Sequence, residues 1–119
     1  KVVRDTDKNF YVYTGEDAHI LNTLAVGGYG VVSVTAHVVS KEIKKMIDSY
    51  LNGNTDEAAK IHLKLIDITE KMFMTANPIP VKAALNILGM NVGITRLPLA
   101  WDLFRRLNNE QNTQSSDFR

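Results

Sequence analysis

The side chains able to do chemistry are few and scattered. His19, His37 and His62 lie far apart, with neither the H-x-H nor the H-E-x-x-H spacing that brings two imidazoles to one metal. Glu16 and Asp17 are adjacent carboxylates, but neighbours on a loop point apart and make a poor acid–base dyad. Asp17 reads instead as the N-cap of the helix that follows it. The absence of cysteine removes thiolate nucleophiles, thiolate metal sites and disulfides. Gly27, Gly28 and Gly30 invite comparison with a phosphate-cradling loop, and the order of elements argues against one. Such a loop follows a strand and opens a helix. These glycines follow a helix and open a strand, and Ser33 stands where the third glycine of G-x-G-x-x-G belongs. Lys41, Lys44, Lys45, Lys60, Lys64 and Lys71 mostly occupy polar helix faces. None sits inside an apolar strand, where desolvation would lower an amine's pKa and ready it for Schiff-base chemistry. His37 falls just past a strand, at the end where a ligand would sit, although a surface histidine is the favoured reading. Met72, Met74 and Met90 read as core filler.

The elements that must position these groups follow from the pattern. Residues 10–14 are five β-formers in a row, stopped by Gly15, as in a strand covered on both faces. Residues 18–26 predict a helix with Ile20, Leu21, Leu24 and Ala25 on its apolar stripe, ended by Gly27 and Gly28. Residues 30–34 predict a second buried strand. A strand, a helical crossover and a strand make a parallel βαβ unit. Ser40 caps a helix to about residue 51, with Ile43, Met46, Ile47, Tyr50 and Leu51 on one face. Asn54 and Glu57 then resemble a capping box for a long helix to about residue 73. Its apolar positions are Ile61, Leu65, Ile68 and Met72, with Ala58, Leu63 and Ile66 widening the buried surface. Pro78 and Pro80 break it, and Pro80 opens a helix over residues 81–88 that ends at Gly89. Residues 96–99 read as extended, 101–107 as one or two turns, and 108–119 as a disordered polar tail.

The 119 residues are 45% hydrophobic and 23% charged, with a formal net charge of +1. That balance lacks the basic excess of an electrostatic nucleic-acid binder. No apolar run approaches the roughly 18–20 residues of a membrane span, and no signal peptide is visible at the start. The reading is a cytoplasmic protein with no cofactor, no membrane and no nucleic-acid partner. Two parallel strands do not make a stable sheet, because both edges stay open and both faces are apolar. With Lys1 rather than Met at the start, the expectation is a piece of a longer protein.

Four blocks occur in order: Tyr13-Thr14-Gly15-Glu16-Asp17, Gly27-Gly28-Tyr29-Gly30-Val31-Val32-Ser33-Val34, Asn77-Pro78-Ile79-Pro80-Val81-Lys82-Ala83-Ala84-Leu85 and Arg96-Leu97-Pro98-Leu99. Together they resemble the C-terminal portion of the dihydrodipicolinate synthase (4-hydroxy-tetrahydrodipicolinate synthase) family of class I pyruvate-dependent aldolases. The likeness covers about residues 1–100. It implies an α/β fold: a C-terminal fragment of a (β/α)8 TIM barrel, strands 7 and 8, followed by C-terminal helices. Residues 1–53 would be the last two strand–helix units, 54–107 the C-terminal helical region and 108–119 the tail. The resemblance also implies a lyase that condenses pyruvate with aspartate semialdehyde in lysine (diaminopimelate) biosynthesis, through a Schiff base on a sixth-strand lysine. That lysine, and the tyrosine and threonine that relay protons, would lie upstream, so the chain alone is expected to be inactive. The family is commonly a homotetramer. Two substrate-binding positions carry over: Val32, whose backbone lies against pyruvate, and Gly15, in a loop lining the site. No catalytic residue, cofactor or metal carries over.

Two departures stand out. The family's usual Ala-Asn pair after strand eight is Ala36-His37, and residues 100–119 do not match the family pattern. Two other readings are a truncated helical interaction module, and a sugar-acid aldolase of the N-acetylneuraminate lyase kind. The NPIPVK and RLPL blocks count against the second.

Overall fold

The computed structural model describes residues 1–99, so the turns expected over residues 101–107 and the tail expected over 108–119 lie outside the described residues. A one-turn helix, α1 (Val2–Asp5), precedes strand β1 (Tyr13–Thr14), a 3₁₀ turn (Asp17–His19), α2 (Ile20–Ala25) and strand β2 (Gly30–Val31). Three helices follow: α3 (Ala36–Leu51), α4 (Thr55–Met72) and α5 (Ile79–Ile87). β1 and β2 run parallel, with Tyr13 opposite Gly30 and Thr14 opposite Val31, and α2 is the crossover of the expected βαβ unit.

Both strands are shorter than the five-residue runs expected at 10–14 and 30–34. Each has one neighbour, so the regular ladder closes after two pairs. The Tyr29 N–H to Val12 carbonyl bond (2.7 Å) and the Val32 N–H to Thr14 carbonyl bond (2.9 Å) extend the pairing one step at each end. The expected cover on both faces is missing among the described residues: Phe10, Tyr11, Tyr13 and Val32 are exposed. The Tyr29 ring is exposed too and lies 4.4 Å from the ring of Tyr11 and 5.4 Å from that of Tyr13.

Residues Lys1–Met72 form one compact unit. Its core is a single cluster of Ile20 and Leu24 from α2 and its entry, Ile43 and Met46 from α3, and Ala58, Ile61 and Leu65 from α4. Each of the larger side chains contributes roughly 1.5–3 kcal/mol by leaving water. α4 packs on α3 within this unit. Leu63, expected to widen the buried face of α4, is exposed. Glu57 N–H donates to Asn54 Oδ1 at 3.3 Å, which is half of a capping box. The Glu57 carboxylate does not return to Asn54 but accepts from Lys45 Nζ at 2.9 Å, fastening α4 to α3.

α3 starts four residues before Ser40. Val39 interrupts it with φ −129° and ψ 44°. Val38 and Val39 are consecutive β-branched residues, which lose side-chain freedom in a helix. The stretch from Ser40 onward is the helix the pattern predicted. The turn into β2 depends on Gly28, where a Cβ would run into Cγ2 of Thr23 and lie 2.7 Å from the Thr23 carbonyl oxygen.

From Phe73 onward the described residues belong to a second unit. α5 begins two residues earlier than expected, with Pro80 in its first turn, where a missing N–H costs nothing. Lys82 Nζ donates to the Ile94 carbonyl (2.7 Å). Asn86 donates to the Gly93 carbonyl (3.0 Å) and accepts from Val92 N–H (3.1 Å). These bonds hold the segment after α5 against its own helix. Residues 96–99 are a turn rather than extended chain: Leu99 N–H reaches the Arg96 carbonyl at 3.0 Å, and Thr95 Oγ1 donates to the Leu99 carbonyl at 2.8 Å.

Candidate functional site

The two strands end side by side, and their C-terminal ends carry the residues of interest. In parallel α/β folds this is the end where ligands sit, because the loops after the strands gather there. Gly15 follows β1 immediately and is exposed, with open space where a side chain would stand. Val32 follows β2 immediately, is 72% exposed, and is tied back to β1 by its own N–H. Thr14 Oγ1 accepts the Glu16 N–H at 3.1 Å, fixing the turn between Gly15 and the 3₁₀ segment.

Asp17 joins the two loops. It is 3% exposed, and its Oδ2 accepts the N–H of Val34 (3.0 Å) and of Thr35 (3.1 Å). Ser33 Oγ accepts the Ala36 N–H at 2.8 Å. Together they satisfy amides at the entry to α3 that have no partner within the helix. The carboxylate also lies at the positive end of the α3 dipole. Asp17 was expected to cap the helix that follows it. It begins the 3₁₀ turn instead, and its carboxylate serves α3, seventeen residues further on. α2 accordingly starts at Ile20, two residues later than predicted.

The remaining candidates are exposed or half-buried side chains. The neighbouring carboxylate of Glu16 is exposed. His37 is exposed on the first turn of α3, and its Nδ1 donates to the Val34 carbonyl at 3.0 Å, a local bond. His19 is exposed in the 3₁₀ turn, and His62 is half-buried on α4. Among the described residues, no three His, Asp or Glu side chains converge as they would around a metal ion. Lys44 pairs with Asp48 at 2.6 Å and Lys45 with Glu57, both on the exposed side of α3. The hydrogen bond from Lys45 holds the Glu57 carboxyl below its ordinary value, with the Coulombic attraction of Lys45 adding to it. The site is therefore one of backbone edges and one buried carboxylate. Sequence reasoning found Asp17 but not its partner, because no local spacing links residue 17 to the amides of residues 34 and 35.

A parallel βαβ unit with helices packed behind it and its loops gathered at the strand ends defines the chain as α/β. Comparison with known proteins narrows this. Residues 1–113 match the dihydrodipicolinate synthetase family, and the chain belongs to that family. It is 54% identical over 99 residues to the 4-hydroxy-tetrahydrodipicolinate synthase of Heliobacterium modesticaldum, covering 83% of this chain and 33% of that one. It is 50% identical over 99 residues to the enzyme of the same name from Bacillus velezensis, covering 83% and 34%. A dihydrodipicolinate synthase structure from Bacillus anthracis superposes with a TM-score of 0.79 at 40% identity, covering 83% of this chain and 34% of that one. The chain thus spans about a third of the length of these relatives. The family match runs to residue 113, so the likeness extends beyond residue 100, where it was expected to stop.

Proposed function

We propose that the chain is the last third of a lyase that condenses pyruvate with aspartate semialdehyde in lysine biosynthesis. The single observation that carries this reading is the family match over residues 1–113, joined to strand ends that hold Gly15 and Val32 side by side. In this reading β1 and β2 are strands 7 and 8 of a (β/α)8 barrel. Residues 1–53 supply its last two strand–helix units, and residues 54–107 the C-terminal helical region. Gly15 and Val32 bind pyruvate through backbone and shape. Both suit that role, since neither brings a reactive side chain and both are open to a ligand. Asp17 positions them by tying the loop after β1 to the loop after β2. The Schiff-base lysine lies outside this chain, which is consistent with Lys44 and Lys45 being committed to exposed ion pairs. The complete enzyme works in the cytoplasm as a homo-oligomer, a tetramer in the family's usual form.

Incubating the chain with pyruvate and borohydride, then measuring its mass, tests the assignment. The expected result is no stoichiometric pyruvyl adduct. A single adduct on one lysine would overturn the claim that the nucleophile lies elsewhere.

A further inference from the structure

α5 and the segment after it carry more apolar surface than they cover. Ile87, Leu88, Met90, Val92, Ile94 and Leu97 follow closely on one another and all are exposed, Ile87 at 74% and Leu97 at 86%. This surface is fixed in place. The bonds from Lys82 and Asn86 pin residues 92–94 along α5, and Ile79, Ala83 and Ile94 line one cleft between the helix and that segment. Ile87 continues the Ile79–Ala83 stripe at four-residue spacing, so it stands on the same face of α5. Exposed apolar clusters of this kind mark surfaces that something covers.

The chain's own sequence supplies a fitting cover. Ala100, Leu103, Phe104 and Leu107 fall at i, i+3, i+4 and i+7, the spacing of one helix face, with Trp101 beside them. Asp102, Arg105 and Arg106 fall on the opposite side. The charges also suit the dipole of such a helix: Asp102 in its first turn, Arg105 and Arg106 in its last, and Asn108 just past its end. A helix this short is marginal in water by itself and needs a surface for its apolar face. The surface is within reach. Leu99 N–H bonds the Arg96 carbonyl, and the Leu99 carbonyl accepts from Thr95 Oγ1, so residue 100 starts beside the neighbour of Ile94. Residues 100–107 as a helix would rise about 12 Å, close to the length of the nine-residue α5. We propose that residues 100–107 form an amphipathic helix that docks on α5 and the segment after it, burying Phe104 and Leu107 against Ile87 and Ile94. The proposal does not rest on the lyase reading, since it uses neither Gly15 nor Val32.

Trp101 is the only tryptophan of the chain, so its fluorescence reads the docking directly. In the native 119-residue chain its emission is expected to lie to the blue of that in the urea-unfolded chain, with acrylamide quenching several-fold weaker. Both properties should persist through a dilution series followed by sedimentation, because helix and surface belong to one chain. Ile87→Asp and Ile94→Asp replace exposed side chains, and each should move the emission to the red and restore quenching. Circular dichroism should show no more helix lost than the docked segment itself. Phe10→Asp, in the exposed residues before β1, should change neither property. Native emission and quenching like those of the unfolded chain would overturn the proposal. A blue shift lost on dilution would overturn it in favour of a second copy of the chain as the cover. A blue shift removed by Phe10→Asp but by neither isoleucine variant would overturn it by placing Trp101 against the strands.

Discussion

At the scale of single residues, Asp17 and Gly28 are the positions with least freedom. Asp17→Ala leaves two amides at the start of α3 without their acceptor. Bonds to charged groups are worth about 1.5–3 kcal/mol each, so a loss of about 3 kcal/mol is expected in urea unfolding. Asp17→Asn keeps an acceptor oxygen and should lose less, with hydrogen-exchange protection at Val34 and Thr35 reduced but present. Gly28→Ala forces a methyl into Thr23, and overpacking of this kind costs about 1–3 kcal/mol. Gly15→Ala meets open space and should change stability by less than about 0.5 kcal/mol. A deficit in pyruvate binding by Gly15→Ala in a complete enzyme would then report on the ligand and not on folding.

At the scale of elements, the α3–α4 pair carries the core, and its ion pair makes the packing sensitive to acid. Lys45 holds the Glu57 carboxyl below its ordinary 4.5 in the folded state. A carboxyl depressed by folding contributes stability that is fully present above its unfolded value and is lost as pH falls through the folded value. Wild-type stability should therefore decline as the pH drops from about 4.5, and Glu57→Gln should decline less over that window, as denaturant titrations at successive pH values would show. The pair is exposed, so the difference is small and shrinks with added salt. The long apolar spacing of α4 and the two glycine stops were legible in the sequence because helical period and turn chemistry are local. The early start of α3 was not. Its first turn depends on Asp17, and capping from seventeen residues away leaves no trace in a local window.

At the scale of the whole molecule, the two strands and their flanks leave large apolar side chains open. Phe10, Tyr11, Tyr13, Tyr29 and Val32 are exposed together with strand edges that have no partner among the described residues. Exposed apolar surface and open edges promote association. The chain by itself is expected to bind an apolar fluorescent dye and to gain weight-average mass with concentration in sedimentation. A dye-silent monomer at all concentrations would contradict this arrangement of the strands.

The sequence by itself determined the order of elements, the parallel βαβ unit, most of the helical core and, through four ordered blocks, the family. These are properties of local period, turn residues and motif spacing. Tertiary structure alone decided three things: that Asp17 spans two loops, that Glu57 turns to Lys45 instead of completing its own cap, and that the strands' apolar residues stand open. Each depends on which distant backbone or side chain arrives within about 3 Å, the reach of a hydrogen bond, and spacing along the chain does not encode that distance.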